Sequence, residues 1–316
     1  PLASETLDRV LETILSKLYF WSSESEITEQ AAASLVNFIH HYSDRRKYIV
    51  ECPNLKKLLL KHSRNELEFL TMTARKWCYQ LFALIGDTKP ELWEEWVLKP
   101  LRERYLLIHS LIQQQDLGER TRNLLQEFFE SISGIVTGAT PTNTEKIWTS
   151  FISSIFLNDC SQLLDIFHNY KTVVLTLLEF VSVVTNQMLS RLNLEQTNQF
   201  SQAVLRILES YAKHNTNRVS IEEEDEEEEY ADVFNIIQIF IDLGAKEYFE
   251  WMPILLETEA EEAKEKADST ILLIKRVIFA GLSMIMQFIN EKSLQCSKLS
   301  QSYYKLIVFL CDDSER

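Results

Sequence analysis

Eight consecutive carboxylates, Glu222, Glu223, Glu224, Asp225, Glu226, Glu227, Glu228 and Glu229, are the strongest chemical signal in the chain. Side by side they repel one another, so the run predicts a solvated loop over 220–229 rather than a helix. Two roles suit such a loop. It keeps the protein soluble, or it attracts a basic partner surface and orders on contact, acting on association rate and specificity in a salt-dependent way. The chain carries 32 Lys and Arg against 47 Asp and Glu, a net charge of −15, and over half of that excess sits in this one run. That concentration favours partner binding.

Other candidate residues carry less. His40-His41 could ligate a metal, but neighbouring residues on a helix point about 100° apart and rarely share an ion, so they read as the polar tips of a helix end. Asp159-Cys160 with His168 suggests a nucleophilic cysteine and a base. A cysteine in an apolar helix is more often a small core residue. Asp87-Thr88 reads as an N-cap leading into Pro90. There is no P-loop, dinucleotide fingerprint, nucleophile elbow or zinc-protease helix motif, so no enzyme, metal or cofactor is expected. Arg45, Arg46, Lys47, Lys56, Lys57 and Lys61 form a basic cluster without interleaved stacking aromatics, which reads as a solvated edge. An acidic protein repels phosphate backbones, and nucleic acid is not an expected partner. Trp77, Trp93, Trp96, Trp148 and Trp251 fall on helical stripes, where packing is the usual role and anchoring a partner the less common one.

The elements that position these residues follow from composition. Gly and Pro number only six each in 316 residues, while 46% of residues are hydrophobic. A sheet fold needs more turn residues than that, and the apolar share can fill a core, so the chain is predicted almost wholly helical. Five scattered cysteines without C-x-x-C spacing fit a reducing compartment. The longest apolar stretch, Ile271 to Ile289, contains Lys275 and Arg276, which disfavour a membrane span and predict a buried helix of a soluble protein. Apolar spacing of three and four predicts helices at 4–20, 25–41, 54–62, 66–85, 90–113 (bent at Pro100) and 119–137. It continues with 143–168 (broken near Asn158-Asp159), 172–192, 195–214, 230–249, 268–290 and 295–311. Gly86 is expected to close the fourth helix as its C′ residue. Stripes as wide as that of Val173, Val174, Leu177, Leu178, Phe180, Val181 and Val184 imply partners on two sides, as in stacked helix pairs. The expected architecture is all-α, an α-solenoid of about six antiparallel pairs in one array over 1–316.

Four segments carry a resemblance. They are Phe20-Trp21-Ser22-Ser23-Glu24, Trp93-Glu94-Glu95-Trp96-Val97-Leu98-Lys99-Pro100-Leu101 with Arg104-Tyr105-Leu106, Tyr211-Ala212-Lys213-His214-Asn215 before Arg218, and Tyr303-Tyr304-Lys305-Leu306-Ile307 with Phe309 and Cys311. In this order and at these intervals they resemble the exportins of the karyopherin-β superfamily of nuclear transport receptors. The exportin-4 branch is the nearest, with the exportin-7 branch beside it. The likeness spans essentially the whole chain. It implies a HEAT-repeat superhelix whose concave helices bind protein cargo together with Ran-GTP. It also implies contact with nucleoporins and shuttling between nucleus and cytoplasm. Cargo of the implied kind includes the hypusine-bearing translation factor, Smad-type proteins and Sox-type transcription factors. The GTP chemistry would belong to Ran, and the acidic run falls where such receptors can carry acidic loops facing Ran or basic cargo. The likeness further implies a piece of a longer receptor. Its end helices would expose apolar faces, Leu306, Ile307 and Phe309 among them, and self-associate through them. A different helical-repeat scaffold, a phosphatase regulatory or vesicle-tethering subunit, is the second reading.

Overall fold

Residues 2–21, 24–41, 50–67, 70–215, 229–246 and 261–313 are described in the computed structural model, and among them every regular element is helical. The chain divides into two units, Pro1–Phe151 and Ile152–Arg316. The first contains α1 (Leu2–Phe20), α2 (Ser25–His41), α3 (Pro53–Ser63), α4 (Met72–Gly86), α5 (Pro90–Trp93), the π-helix π1 (Glu94–Leu98), α6 (Lys99–Gln113), α7 (Glu119–Thr137) and α8 (Thr144–Ile147). Next in the chain is a second π-helix, π2 (Trp148–Phe156). The second unit continues with α9 (Cys160–Phe167), α10 (Lys171–Met188), α11 (Leu194–Asn215), α12 (Ala231–Lys246), α13 (Glu261–Ile285) and α14 (Ser297–Asp313).

Within each unit every second helix packs on the next. In the first, α2 lies on α4 and α4 on α7, while α1 lies on α3 and α3 on π1. In the second, α9, α11 and α13 form one row and α10, α12 and α14 the other. Chain neighbours such as α1 with α2, α6 with α7, and α12 with α13 join the rows. This is the contact pattern of stacked helical repeats, in which a helix meets partners on two sides.

Local chemistry sets the helix limits. Asn193 and Gln196 form a reciprocal capping box at the start of α11: Asn193 Oδ1 accepts the Gln196 N–H at 2.9 Å, and Gln196 Oε1 accepts the Asn193 N–H at 3.1 Å. The helix expected from 66 begins instead at Met72. Asn65 takes a left-handed φ of 59° after α3, and Thr71 Oγ1 caps α4 by accepting the Ala74 N–H at 3.2 Å. Pro100 removes a backbone donor, and the expected irregularity lies one turn earlier as π1, where the Lys99 N–H reaches back to the Glu94 carbonyl.

Two sequence expectations around Gly86 are corrected. Gly86 is the last residue of α4 and has no positive φ. A Cβ there would come within 2.7 Å of the Trp93 ring, so the glycine makes room for the indole. Asp87 does not cap α5, whose N-cap is Lys89. Its Oδ1 accepts the hydroxyls of Thr140 at 2.6 Å and Thr142 at 2.8 Å, tying the end of α4 to the turn before α8.

The cores are built from the predicted stripes. Leu7 and Leu11 of α1, Trp93, Trp148 and the broad apolar faces of α10 are buried, whereas Trp77 and Trp96 are half-buried. Trp251 lies outside the described residues. Lys171–Arg191 and Ala267–Phe288 are long and apolar enough to cross a membrane by length and composition; 61% of the first window is buried and 33% of the second. The stretch expected as a buried helix, α13, is therefore buried along one face only. Ile274, Val277, Ile278 and Ile285 face inward while Leu272 and Phe279 are 70% and 60% exposed. On α14 the expected exposed residues are partly misassigned. Leu306 shares the inward stripe of Leu299, seven residues earlier, and is fully buried; Ile307 is half-buried, and Tyr304 and Val308 are exposed instead. The Phe309 side chain lies outside those described.

Candidate functional site

Of the acidic run, Glu222, Glu223, Glu224, Asp225, Glu226, Glu227 and Glu228 lie outside the described residues. Glu229 corrects the expectation of a solvated carboxylate. It is only 6% exposed, and its Oε2 lies 3.2 Å from Lys292 Nζ. The physical reason is its place immediately before α12. Negative charge is favoured at a helix N-terminus, and the lysine ahead of α14 supplies the counter-charge that burial demands.

The helices flanking the run are clasped at its root. Tyr211 of α11 donates its hydroxyl to Asp232 Oδ2 of α12 at 2.7 Å, and both residues are buried. Asp232 Oδ1 accepts the Val233 N–H at 2.9 Å, and Asn215 Nδ2 returns to the Tyr211 carbonyl at 2.9 Å. Two helix ends meet beside this clasp. Asp165 of α9 accepts from His214 Nε2 at 2.7 Å, Ser210 Oγ at 3.0 Å and Lys213 Nζ at 3.2 Å. The His214 bond, followed by those of Ser210 and Lys213, outweighs desolvation and holds the Asp165 carboxyl below the usual carboxylate range. His168 donates from Nδ1 to the Asp165 carbonyl at 2.8 Å, and its ring stacks on His214 with centroids 4.0 Å apart. A cleft of about 150 Å³ opens next to the stacked pair, lined by His168, Lys171, Asn215 and Asp232 among others.

This arrangement fixes where an acidic segment leaves α11 and enters α12. It does not assemble a nucleophile. Cys160 is fully buried, and burial, aided by Asp159, pushes its thiol far above the ordinary range. The core reading of that cysteine therefore holds. Among the described residues no three His, Cys, Asp or Glu side chains are grouped to hold a metal ion. The side chains of His40 and His41, and Arg45, Arg46 and Lys47, lie outside the described set. From the basic cluster, Lys56 pairs with Glu51 at 3.2 Å and Lys57 donates to Asn54 Oδ1 at 3.2 Å.

Sequence reasoning missed a buried polar chain in the first unit. His62, at the end of α3, is 1% exposed. Its Nε2 meets the Val97 carbonyl of π1 at 3.5 Å, and its Nδ1 meets the Tyr79 hydroxyl of α4 at 3.0 Å. A carbonyl only accepts, so Nε2 carries the proton and the Tyr79 hydroxyl donates to Nδ1. Arg104 Nη1 of α6 donates to the Tyr79 oxygen at 3.3 Å, and Nη2 donates to Asn65 Oδ1. Burial first, and the Arg104 charge second, push the imidazole down to about 3. The chain holds α3, α4, π1 and α6 together through one neutral histidine. Arg104 and Tyr105 stood out in the sequence only as parts of a longer segment, and no spacing tied them to His62. No protein-family model matches the chain.

Proposed function

We propose that the chain is part of a nuclear transport receptor of the karyopherin-β superfamily, of the exportin-4 type. In this reading it contributes HEAT-type helix pairs of an α-solenoid that binds protein cargo together with Ran-GTP, contacts nucleoporins and shuttles between nucleus and cytoplasm. The observation that carries it is the stacking of every second helix in two rows within each unit. Helices stacked in this way present continuous side-chain surfaces for gripping other proteins, and small rotations at each step allow the surface to adapt. The four segments that resemble exportins support the same reading. So does the position of the acidic run between two successive helices whose ends are clasped by Tyr211 and Asp232.

Cargo fits this surface if it is basic, as the hypusine-bearing translation factor or Smad-type proteins would be where they present basic faces. If Ran-GTP and cargo favour the same arrangement of the helix pairs, each strengthens the other equally, and GTP hydrolysis on Ran releases both. The chain itself catalyses nothing in this scheme. Replacing Glu222 to Glu228 by Ser and Gly while keeping the anchored Glu229 tests the role of the run. The association rate for a basic cargo should fall by about tenfold at low salt, with a flatter salt dependence and an unchanged melting temperature. Unchanged affinity with an unchanged salt slope would remove the run from the binding surface.

A further inference from the structure

We propose that the outward ridge of α13 is a homodimer interface, covered by the same ridge of a second copy of this chain running antiparallel. Close packing fixes the inward side of the helix. Ile274, Val277, Ile278 and Ile285 are buried there, and a Cβ on Gly281 would strike the Phe240 ring of α12. On the opposite side Leu272, Phe279 and Met286 stand out at 70%, 60% and 46% exposure. Their seven-residue spacing keeps them in one row, which drifts only about 20° per interval and is about 21 Å long. Half-buried Leu282 and exposed Ser283 fill the turn between the last two. Of the two long apolar helices, the more apolar one is the less covered: mean hydropathy is 1.8 with 33% buried over Ala267–Phe288, against 1.5 and 61% over Lys171–Arg191.

Symmetry and charge define the occupant. A two-fold interface needs a patch that maps onto itself. This row does so about Phe279, with one unbranched or leucine-like apolar side chain seven residues to either side. In an antiparallel pair Phe279 meets its own copy at the dyad, and Leu272 of each chain meets Met286 of the other. The charges select the direction. Glu265 and Asp268 are exposed on the N-terminal half of α13, and Arg276 is exposed between Leu272 and Phe279. Parallel copies would set each of these beside its own like charge. Antiparallel copies move Glu265 and Asp268 to opposite ends of the interface. They also set Arg276 opposite the uncharged Leu282, within reach of the second copy's Phe279 ring, where cation and aromatic face attract. The two helix dipoles then oppose one another as well. Leu306 and Ile307 of α14, expected to carry self-association, are buried and half-buried, so the contact moves to α13. The ridge is separate from the acidic run, and dimerisation neither needs nor excludes the transport reading.

Sedimentation velocity of the full chain across a wide concentration range tests the proposal. The parent should pass from monomer to dimer as concentration rises. Phe279→Glu, a change at an exposed position, should weaken dimerisation by about a hundredfold or more while melting as the parent does. Tyr304→Glu with Val308→Glu, which alters the exposed face of α14, should leave dimerisation unchanged. In a Cys311→Ser background, Phe279→Cys should cross-link to itself with a short bismaleimide. Leu272→Cys should cross-link to Met286→Cys in a mixture, but not to itself. A monomer at every concentration, a dimer as tight in Phe279→Glu as in the parent, or self-cross-linking of Leu272→Cys would overturn the proposal. So would a monomer that sediments with phosphatidylcholine vesicles, because the ridge would then serve a lipid surface.

Discussion

Replacing Gly134 with alanine should destabilise the protein by about 2 to 4 kcal/mol, and Gly138→Ala by a similar amount. Gly134 lies on α7 and Gly138, four residues further on, is the residue that caps its end; both face α4. A Cβ at Gly134 would sit 2.4 Å from the Lys76 carbonyl oxygen and 2.8 Å from Tyr79 Cβ. One at Gly138 would sit 2.4 Å from the Gln80 carbonyl oxygen and 2.9 Å from Ala83 Cβ. The obstructing atoms are backbone and first side-chain carbons, which cannot swing away. The helices would have to part, and the contacts of Tyr79, Phe128 and Phe129, all fully or almost fully buried, would loosen with them. The higher helix propensity of alanine returns no more than about 1 kcal/mol. Urea unfolding reads the effect as a lower midpoint. Gly118→Ala is the control, because a Cβ there meets only the Asp116 carboxylate at 3.2 Å. If Gly134→Ala were as stable as Gly118→Ala, α4 and α7 would not approach as closely as described.

The second large effect is a loss of stability in mild acid that becomes shallower when His62 is replaced. The folded imidazole titrates at about 3, against an ordinary value of 6.5. Between these values the unfolded chain binds a proton that the folded one refuses. Stability is therefore complete above 6.5 and falls as pH drops towards 3. The slope is about 1.4 kcal/mol per pH unit, so this one group removes about 3 kcal/mol by about pH 4.5. Comparing chemical unfolding at neutral and acid pH for the parent and for His62→Gln isolates the contribution. Glutamine keeps a donor near Val97 and does not titrate. The variant should be less stable at neutral pH, because Tyr79 loses a well-placed acceptor, but its stability should decline less steeply in acid. Parallel pH profiles for the two proteins would show that His62 is not held neutral in the fold.

The helices were largely legible in the sequence. The periodicity located 25–41 and 119–137 to the residue, because each stripe begins and ends beside a polar stretch or a glycine. It ran α4 back to 66, because Leu67 and Leu70 continue an apolar pattern although they precede the Thr71 cap. A glycine at a helix end has the same appearance whether it turns the chain or admits a neighbour. That ambiguity is why Gly86 was expected as a turn, and the close approach at Gly134 and Gly138 went unmarked. Burial of Glu229 was illegible for a related reason. A run of eight carboxylates looks uniform, and only the fold brings Lys292 to its last member. Leu306 was expected on the exposed face and is buried instead, because neighbouring stripes on α14 are equally apolar and contact with α12 decides which one is covered. Cys160 was read correctly because it belongs to an apolar segment in which Ile155, Phe156, Leu163 and Leu164 are themselves core residues.

If the stacked helices grip a basic cargo and Ran-GTP in a coupled way, as proposed above, a two-way titration reads that coupling. Ran loaded with GTP is titrated into the chain with and without the hypusine-bearing translation factor, and the factor is titrated with and without Ran-GTP. Each partner should tighten the other by the same factor, within about 5- to 150-fold, and Ran-GDP should not substitute. Failure of both partners to bind at low salt, or cargo binding indifferent to the nucleotide on Ran, would rule out such a coupled grip.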